Sequence, residues 1–286
     1  MLESILNPKR AEKYPWLMFF VGFLQGLIAV WVSSFFSTDP VLSKYLGIFI
    51  VTFSVLLSLP FVYFIMRYEE RKDKEYEEES SLLKEHGKAI LVFLWLFLGF
   101  TLAFSVCYIV FPDGQQYFSA QVETYCNMNH PYDITGCLRN YGLEMNDKIT
   151  GAVTSGERFL SIFTNNVYVV IFALFFSLIF GAGAIFILAW NASVIAAAIG
   201  MFAKSELSNI FSGMARYLIH GIPEIAAYFV AALAGGILGV AIIRKEFKSE
   251  KFWSIVEDVL TLLVISIIIL IIAGLIEVFI TPILFK

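Results

Sequence analysis

Charge is what this sequence has least of. Of its 286 residues 44 are charged, 15%, against 59% apolar residues and a mean hydropathy of +0.78. Globular proteins carry about 25% charge, so this chain cannot clothe a water-facing surface of its length. Ordinary soluble domains are excluded. Cysteine and histidine are scarce, three of each, which leaves few ligands for a metal centre. Basic residues do not outnumber acidic ones, the net charge is −4, and no basic stripe suggests nucleic acid. Aromatics, by contrast, are plentiful at 16%, with 29 phenylalanines, a composition suited to acyl chains and interfacial belts. The chain therefore reads as an all-α, polytopic helical membrane protein whose first partner is the lipid bilayer.

The few charges are bunched. Fourteen fall between Arg67 and Lys88, and a second group runs from Arg244 to Asp258. Crossing a hydrocarbon core takes about 20 helical residues, and the apolar runs between the bunches reach that length. Spans are expected at Leu17–Phe36, Tyr45–Met66 and Ala89–Phe111. The first is too long for a signal peptide, lacks a small-residue cleavage site and is followed at once by a second span. A polar stretch rich in Pro, Gly, Asn and Asp then covers 112–164. Residues 165–203 contain no charge at all over 39 positions, barely enough for two spans. Gly181 and Gly183 offer a hinge between them; a re-entrant segment near Asn191 is the other arrangement that fits. Further spans are expected at Met214–Ile243 and from Val259 to about residue 280.

Charge bias favours two spans in 165–203, hence about seven transmembrane helices, N-terminus inside and C-terminus outside. The inside segments then hold thirteen Lys and Arg and the outside segments seven, spread over many more residues. A single span there would place Arg244, Lys245, Lys248 and Lys251 outside. The run 67–88, with six positive and eight negative side chains, reads as a solvated helical extension stitched by Glu–Lys pairs. Cys126 and Cys137 fall on the outer stretch, where an oxidising compartment makes a disulfide the better reading than a metal site, for which His130 is the lone neighbouring histidine.

Inside the apolar runs two patterns stand out. Ala227, Ala231, Gly235 and Gly239 recur every four residues and present a small-residue face for close helix approach. That face serves either packing within the chain, the preferred reading, or a dimer seam. Against this background Asn165, Asn166, Asn191, His220 and Glu224 form a candidate intramembrane polar cluster. His220 and Glu224 share a helix face at a spacing of four, provided the helix survives Gly221 and Pro223, where a hinge or kink is expected. Counted from Met214 they lie about 9 and 15 Å deep at 1.5 Å per residue. Ionisable groups at such depth are costly and functional by default; an interfacial pair near the headgroups is the competing arrangement.

These residues carry a resemblance. Asn165-Asn166, then Asn191, then His220-Gly221-Ile-Pro-Glu224 and the small residues to Gly239 resemble the stage II sporulation protein M family. The family usually has Gly where this chain has Ala192. The resemblance covers about 89–286 and implies a five-span membrane domain there, with an extracytoplasmic loop at 112–164. Residues 1–88 would be an added helical hairpin plus charged cytoplasmic segment. It also implies a non-enzymatic scaffold or assembly protein of the cell membrane, organising extracytoplasmic or membrane protein partners; the homodimer option comes from the small-residue face alone.

The residues themselves offer no enzyme. There is no His-Glu-x-x-His, no Gly-x-Ser-x-Gly and no phosphate-binding glycine loop, and His220 with Glu224 lack an obvious third metal ligand. No cofactor is expected. The alternative to a scaffold is a channel or transporter using the polar cluster around His220 and Glu224, since interrupted helices and midplane polar groups also characterise transport sites.

Overall fold

The computed structural model describes residues 8–75, 82–129, 133–143, 155–180, 184–205, 210–243 and 250–284. Gly181 and Gly183 lie outside the described residues, as do parts of the 67–88 and 112–164 segments and residues 244–249. Every regular element described is helical, with no strand among the described residues. In chain order they are α1 (Pro8–Lys13), α2 (Leu17–Ser34), a 3₁₀ turn (Leu42–Tyr45), α3 (Leu46–Glu75) and α4 (Leu82–Val110). Then follow the short α5 (Gly114–Tyr117), α6 (Ser119–Asn129) and α7 (Ile134–Asn140). The chain continues with α8 (Ser155–Phe180), α9 (Ala184–Ser205), α10 (Ile210–Ile243), α11 (Glu250–Leu275), a π-helical turn (Ile276–Ile280) and α12 (Thr281–Leu284).

Six of the long helices are long and apolar enough to cross a bilayer, and α8 adds a shorter apolar stretch, Ile162–Leu178. The second helix continues to Glu75, carrying the chain well into the charged segment as its alternating signs suggest. Helices α4, α9 and α10 make the centre, with 61%, 67% and 72% of their apolar stretches buried, while α2 and α11 have only a third buried and ring the outside. Their outward faces carry Phe20, Leu24, Trp31 and Phe35 on α2 and Leu260, Val264, Ile268 and Ile272 on α11. Such faces suit lipid chains and no aqueous surface.

Lipid is as apolar as a leucine core, so these helices gain nothing from expelling water from one another; close packing and interhelical hydrogen bonds must hold them. The packing devices are visible. On α2, a side chain at Gly22 would meet the Leu96 carbonyl oxygen of α4, and one at Gly99 of α4 would meet the Phe19 carbonyl of α2. Phe93, Phe97, Phe100 and Phe104 of α4 fill the centre. Phe93 reaches Phe229 of α10 at a ring-centroid distance of 5.8 Å. The first hairpin is thus keyed directly into the helix that follows it.

Pro60 interrupts the hydrogen-bond ladder of α3. Nearby, Gln25 of α2 donates to the Leu57 carbonyl at 3.1 Å and accepts from the Ser58 hydroxyl at 2.7 Å. The Gln25 amide thus ties α2 to α3 within one turn of the proline.

The long helices alternate in direction, and the short helices α5–α7 cap one end. Cys126 of α6 and Cys137 of α7 are joined by a disulfide. The cap is fastened to three helix ends. Gln121 donates to the Gly47 carbonyl at the start of α3 at 3.0 Å. Gly114 packs under the Tyr108 carbonyl at the end of α4. Lys204, at the end of α9, reaches the Phe111 carbonyl at 3.4 Å and Gln115 Oε1 at 3.2 Å, and sits 5.2 Å from the Tyr108 ring centroid.

Candidate functional site: a polar cluster between α8, α10 and the C-terminal turn

Helices α8 and α10 run parallel in contact. Their seam is made by the small-residue face of α10, since side chains at Gly235 and Gly239 would strike the Leu174 and Leu178 carbonyl oxygens of α8. Ala227 and Ala231 continue the face and are fully buried. The Ala227 carbonyl also accepts from the Ser266 hydroxyl of α11 at 2.9 Å. The four small residues are therefore engaged within one chain, and a dimer would need another face.

The close approach of backbones brings polar side chains together higher on the same seam. Asn166 of α8 points inward and is buried. Its Nδ2 donates to Glu224 Oε1 at 2.6 Å, and its Oδ1 accepts from the Tyr228 hydroxyl at 2.8 Å. Both ends of one amide are used, which fixes its orientation. Glu224 and Tyr228 stand four apart on α10, on one face, and the helix runs unbroken through Gly221 and Pro223 from Ile210 to Ile243. His220 is buried one turn earlier on that helix. Glu277 lies in the π-helical turn that follows α11 and packs against α8 and α10. In that turn the Thr281 hydroxyl donates to the Ile276 carbonyl at 3.1 Å; single π turns inside α-helices recur at functional sites.

The five polar positions conspicuous in the sequence separate accordingly. Asn166 and Glu224 meet directly, and His220 lies buried beside them. Asn165 is exposed, one helical step of 100° away from the seam. Asn191 donates to the Ile187 carbonyl of its own helix at 2.8 Å, a local bond that does not reach the cluster. Two members went unrecognised in the sequence. Tyr228 follows Glu224 by the same four residues that relate His220 to Glu224. Glu277 is an acidic residue within a run otherwise uncharged from Val259. Both signals were present, and both call for a spatial neighbour to be read.

Chemically the cluster can tie α8, α10 and the C-terminal turn together and can hold or pass a proton. Among the described residues no group of three or more His, Cys, Asp or Glu could hold a metal ion. The family model for stage II sporulation protein M matches residues 15–282. The chain belongs to the stage II sporulation protein M family. The match starts well before the motif-bearing residues and takes in the first hairpin, in keeping with the packing of α2 on α4. No curated protein and no solved structure matches the chain.

Proposed function

We propose that this family member crosses the cell membrane seven times, N-terminus inside and C-terminus outside, and acts as a non-enzymatic scaffold that presents its cap to extracytoplasmic partners. One observation carries this reading: a disulfide-closed cap fastened to the ends of α3, α4 and α9 through Gln121, Gly114 and Lys204. A platform so anchored keeps its shape while the helices beneath it are held by lipid. The apolar stretch of α8, the 17 residues Ile162–Leu178, is short for a span. Thr164 and Asn165 near its start are exposed, and a local thinning of the bilayer or a tilt of the bundle accommodates such a helix. A channel or carrier is the alternative, favoured by the polar cluster of Asn166, Glu224 and Tyr228 with His220 one turn away.

Two measurements decide. Photo-crosslinking from position 140, exposed on the cap, should yield adducts with extracytoplasmic proteins in native membranes, and purified protein in liposomes should show no ion flux. A proton or cation leak that disappears in Glu224→Gln would replace the scaffold by the transport reading. Seven spans are tested by single cysteines: one placed at position 248 should react only from the inside, and labelling from outside would remove that topology.

A further inference from the structure

The two adjacent asparagines of α8 head two different stripes. Asn166, Val170, Ala173 and Ser177 follow one another at spacings of four and three, and all are buried. Asn165, Tyr168, Phe172 and Phe175 repeat such spacings on the nearly opposite side of the helix, and all are exposed. Asn166 spends its amide on Glu224 and Tyr228. Asn165 has no partner among the described residues.

Two markers give the depth of that carboxamide. It lies seven residues beyond Arg158, the last charge before the span, about 10 Å at 1.5 Å per residue. Its neighbour Asn166 is level with Glu224 through their hydrogen bond, and Glu224 stands six residues below Leu218, the cap-side end of the apolar stretch of α10. That is about 9 Å by the same measure. A carboxamide facing acyl chains at this depth needs a donor and an acceptor from outside its own chain. Headgroups drawn down to it would strip acyl chains from Ile219 and Ile222, which are exposed on the adjacent α10 between that level and the cap.

A second copy meets the need without that cost. A carboxamide is complementary to itself, with a positive N–H edge and a negative oxygen. About a two-fold axis along the membrane normal, a residue facing the axis stands opposite its own copy, so each Asn165 Nδ2 can donate to the other Oδ1. Below it, Tyr168, Phe172 and Phe175 supply aromatic knobs at the alternating spacing with which two helices interlock. A single Asn in such a seam fixes register and the number of chains.

We propose that the outward face of α8 is the interface of a parallel homodimer, registered by Asn165 pairing with itself across the two-fold axis. The small-residue face of α10 is occupied within the chain, so the two seams do not compete. Both caps then lie on the same side of the membrane in one particle. On the scaffold reading, a partner with two binding sites gains effective concentration from this arrangement; the dimer itself does not rest on that reading.

Single-molecule counting of tagged full-length protein in liposomes, over a series of protein-to-lipid ratios, tests the proposal. Wild type should pass from monomer to dimer as lipid is withdrawn, with no larger species. Asn165→Ala should raise the dissociation constant about three- to tenfold, the usual worth of a hydrogen bond between helices in a membrane. Asn165→Gln keeps a carboxamide and should fall between the two, while Ile268→Ala, on the lipid face of α11, should match wild type. All should melt together in detergent, because Asn165 makes no bond within the fold. In native membranes, Tyr168→Cys should crosslink to its own copy on oxidation and Ile268→Cys should not; the native free thiol, Cys107, is buried. A wild type that stays monomeric at every ratio overturns the proposal and leaves the carboxamide to lipid headgroups. Undiminished association of Asn165→Ala also overturns it, as does crosslinking at 268 in place of 168.

Discussion

Asn166 of α8 donates to Glu224 of α10 at 2.6 Å, across a seam where the two backbones are close enough to exclude a methyl group at Gly235. The same amide accepts from Tyr228, so removing it strands a half-buried carboxyl and a buried hydroxyl at once. Asn166→Ala is expected to lower stability by about 1–3 kcal/mol, the cost of leaving buried polar groups unsatisfied. Its neighbour Asn165 is exposed, and Asn165→Ala should change stability by less than about 0.5 kcal/mol. Thermal unfolding in one detergent compares the two. Equal losses would show that the cluster does not hold the seam.

The α8–α10 approach predicts a contrast among glycines of one helix. Gly235→Ala and Gly239→Ala place a methyl group against the Leu174 and Leu178 carbonyl oxygens, which are backbone and cannot swing aside. Each should destabilise by about 1–3 kcal/mol, the usual cost of overpacking. At Gly221 a methyl group would meet only Ile195 Cδ1 at 3.7 Å, an ordinary contact. Gly221→Ala should be neutral or stabilising by up to about 1 kcal/mol through helix propensity. Unfolding midpoints of the three variants in a common denaturant provide the comparison, and equal effects at 221 and 235 would contradict the seam.

Much of the architecture was legible because a bilayer imposes its length scale on the sequence: uncharged runs of span length became helices, and the two bunches of charge fell at their ends. Which face of each helix meets protein was far less legible. In water, polar residues mark the outside of a helix; in lipid both faces are apolar and the pattern is erased. Asn165, Asn166 and Asn191 accordingly look equivalent in the sequence. Yet one faces outward, one enters the cluster and one bonds its own helix. Glu277 was hidden for another reason. Its place beside α8 and α10 depends on a π turn and on the placement of the last helix, 53 residues beyond Glu224, and neither is written in local periodicity. Small residues were the more reliable guide, since a face at spacing four has to meet a backbone somewhere.

The cap should depend on its disulfide more than the bundle does. Cys126 and Cys137 close a short loop, and such a crosslink contributes about 3 kcal/mol in the chain-entropy picture. Cys126→Ser should abolish the electrophoretic mobility shift seen on reduction of the wild type and make the cap susceptible to added protease. The long helices, packed through α4, should remain resistant. Proteolysis spreading at once into α4 and α9 would mean that the cap supports the bundle, reversing the expected order of stability.

The turn between α2 and α3 supplies a test in pH. Asp39 Oδ1 accepts the backbone N–H groups of Leu42 at 2.9 Å and Val41 at 2.8 Å, with Pro40 between them presetting the bend. These bonds favour the ionised carboxyl and hold it below its ordinary value of 3.8. The sign follows from that direction. A depressed value in the folded state stabilises at pH above the unfolded value and loses its effect as pH falls through the folded one. Asp39→Ala should therefore melt below wild type at neutral pH, with the gap closing as the buffer is taken below the ordinary carboxyl range. Asp39→Asn keeps an acceptor oxygen but no charge, so it should lose less and show no such titration. Melting temperatures of the three proteins across the acid range are the measurement. A gap between wild type and Asp39→Ala that stays constant to the lowest pH would mean the carboxylate charge does not secure this turn.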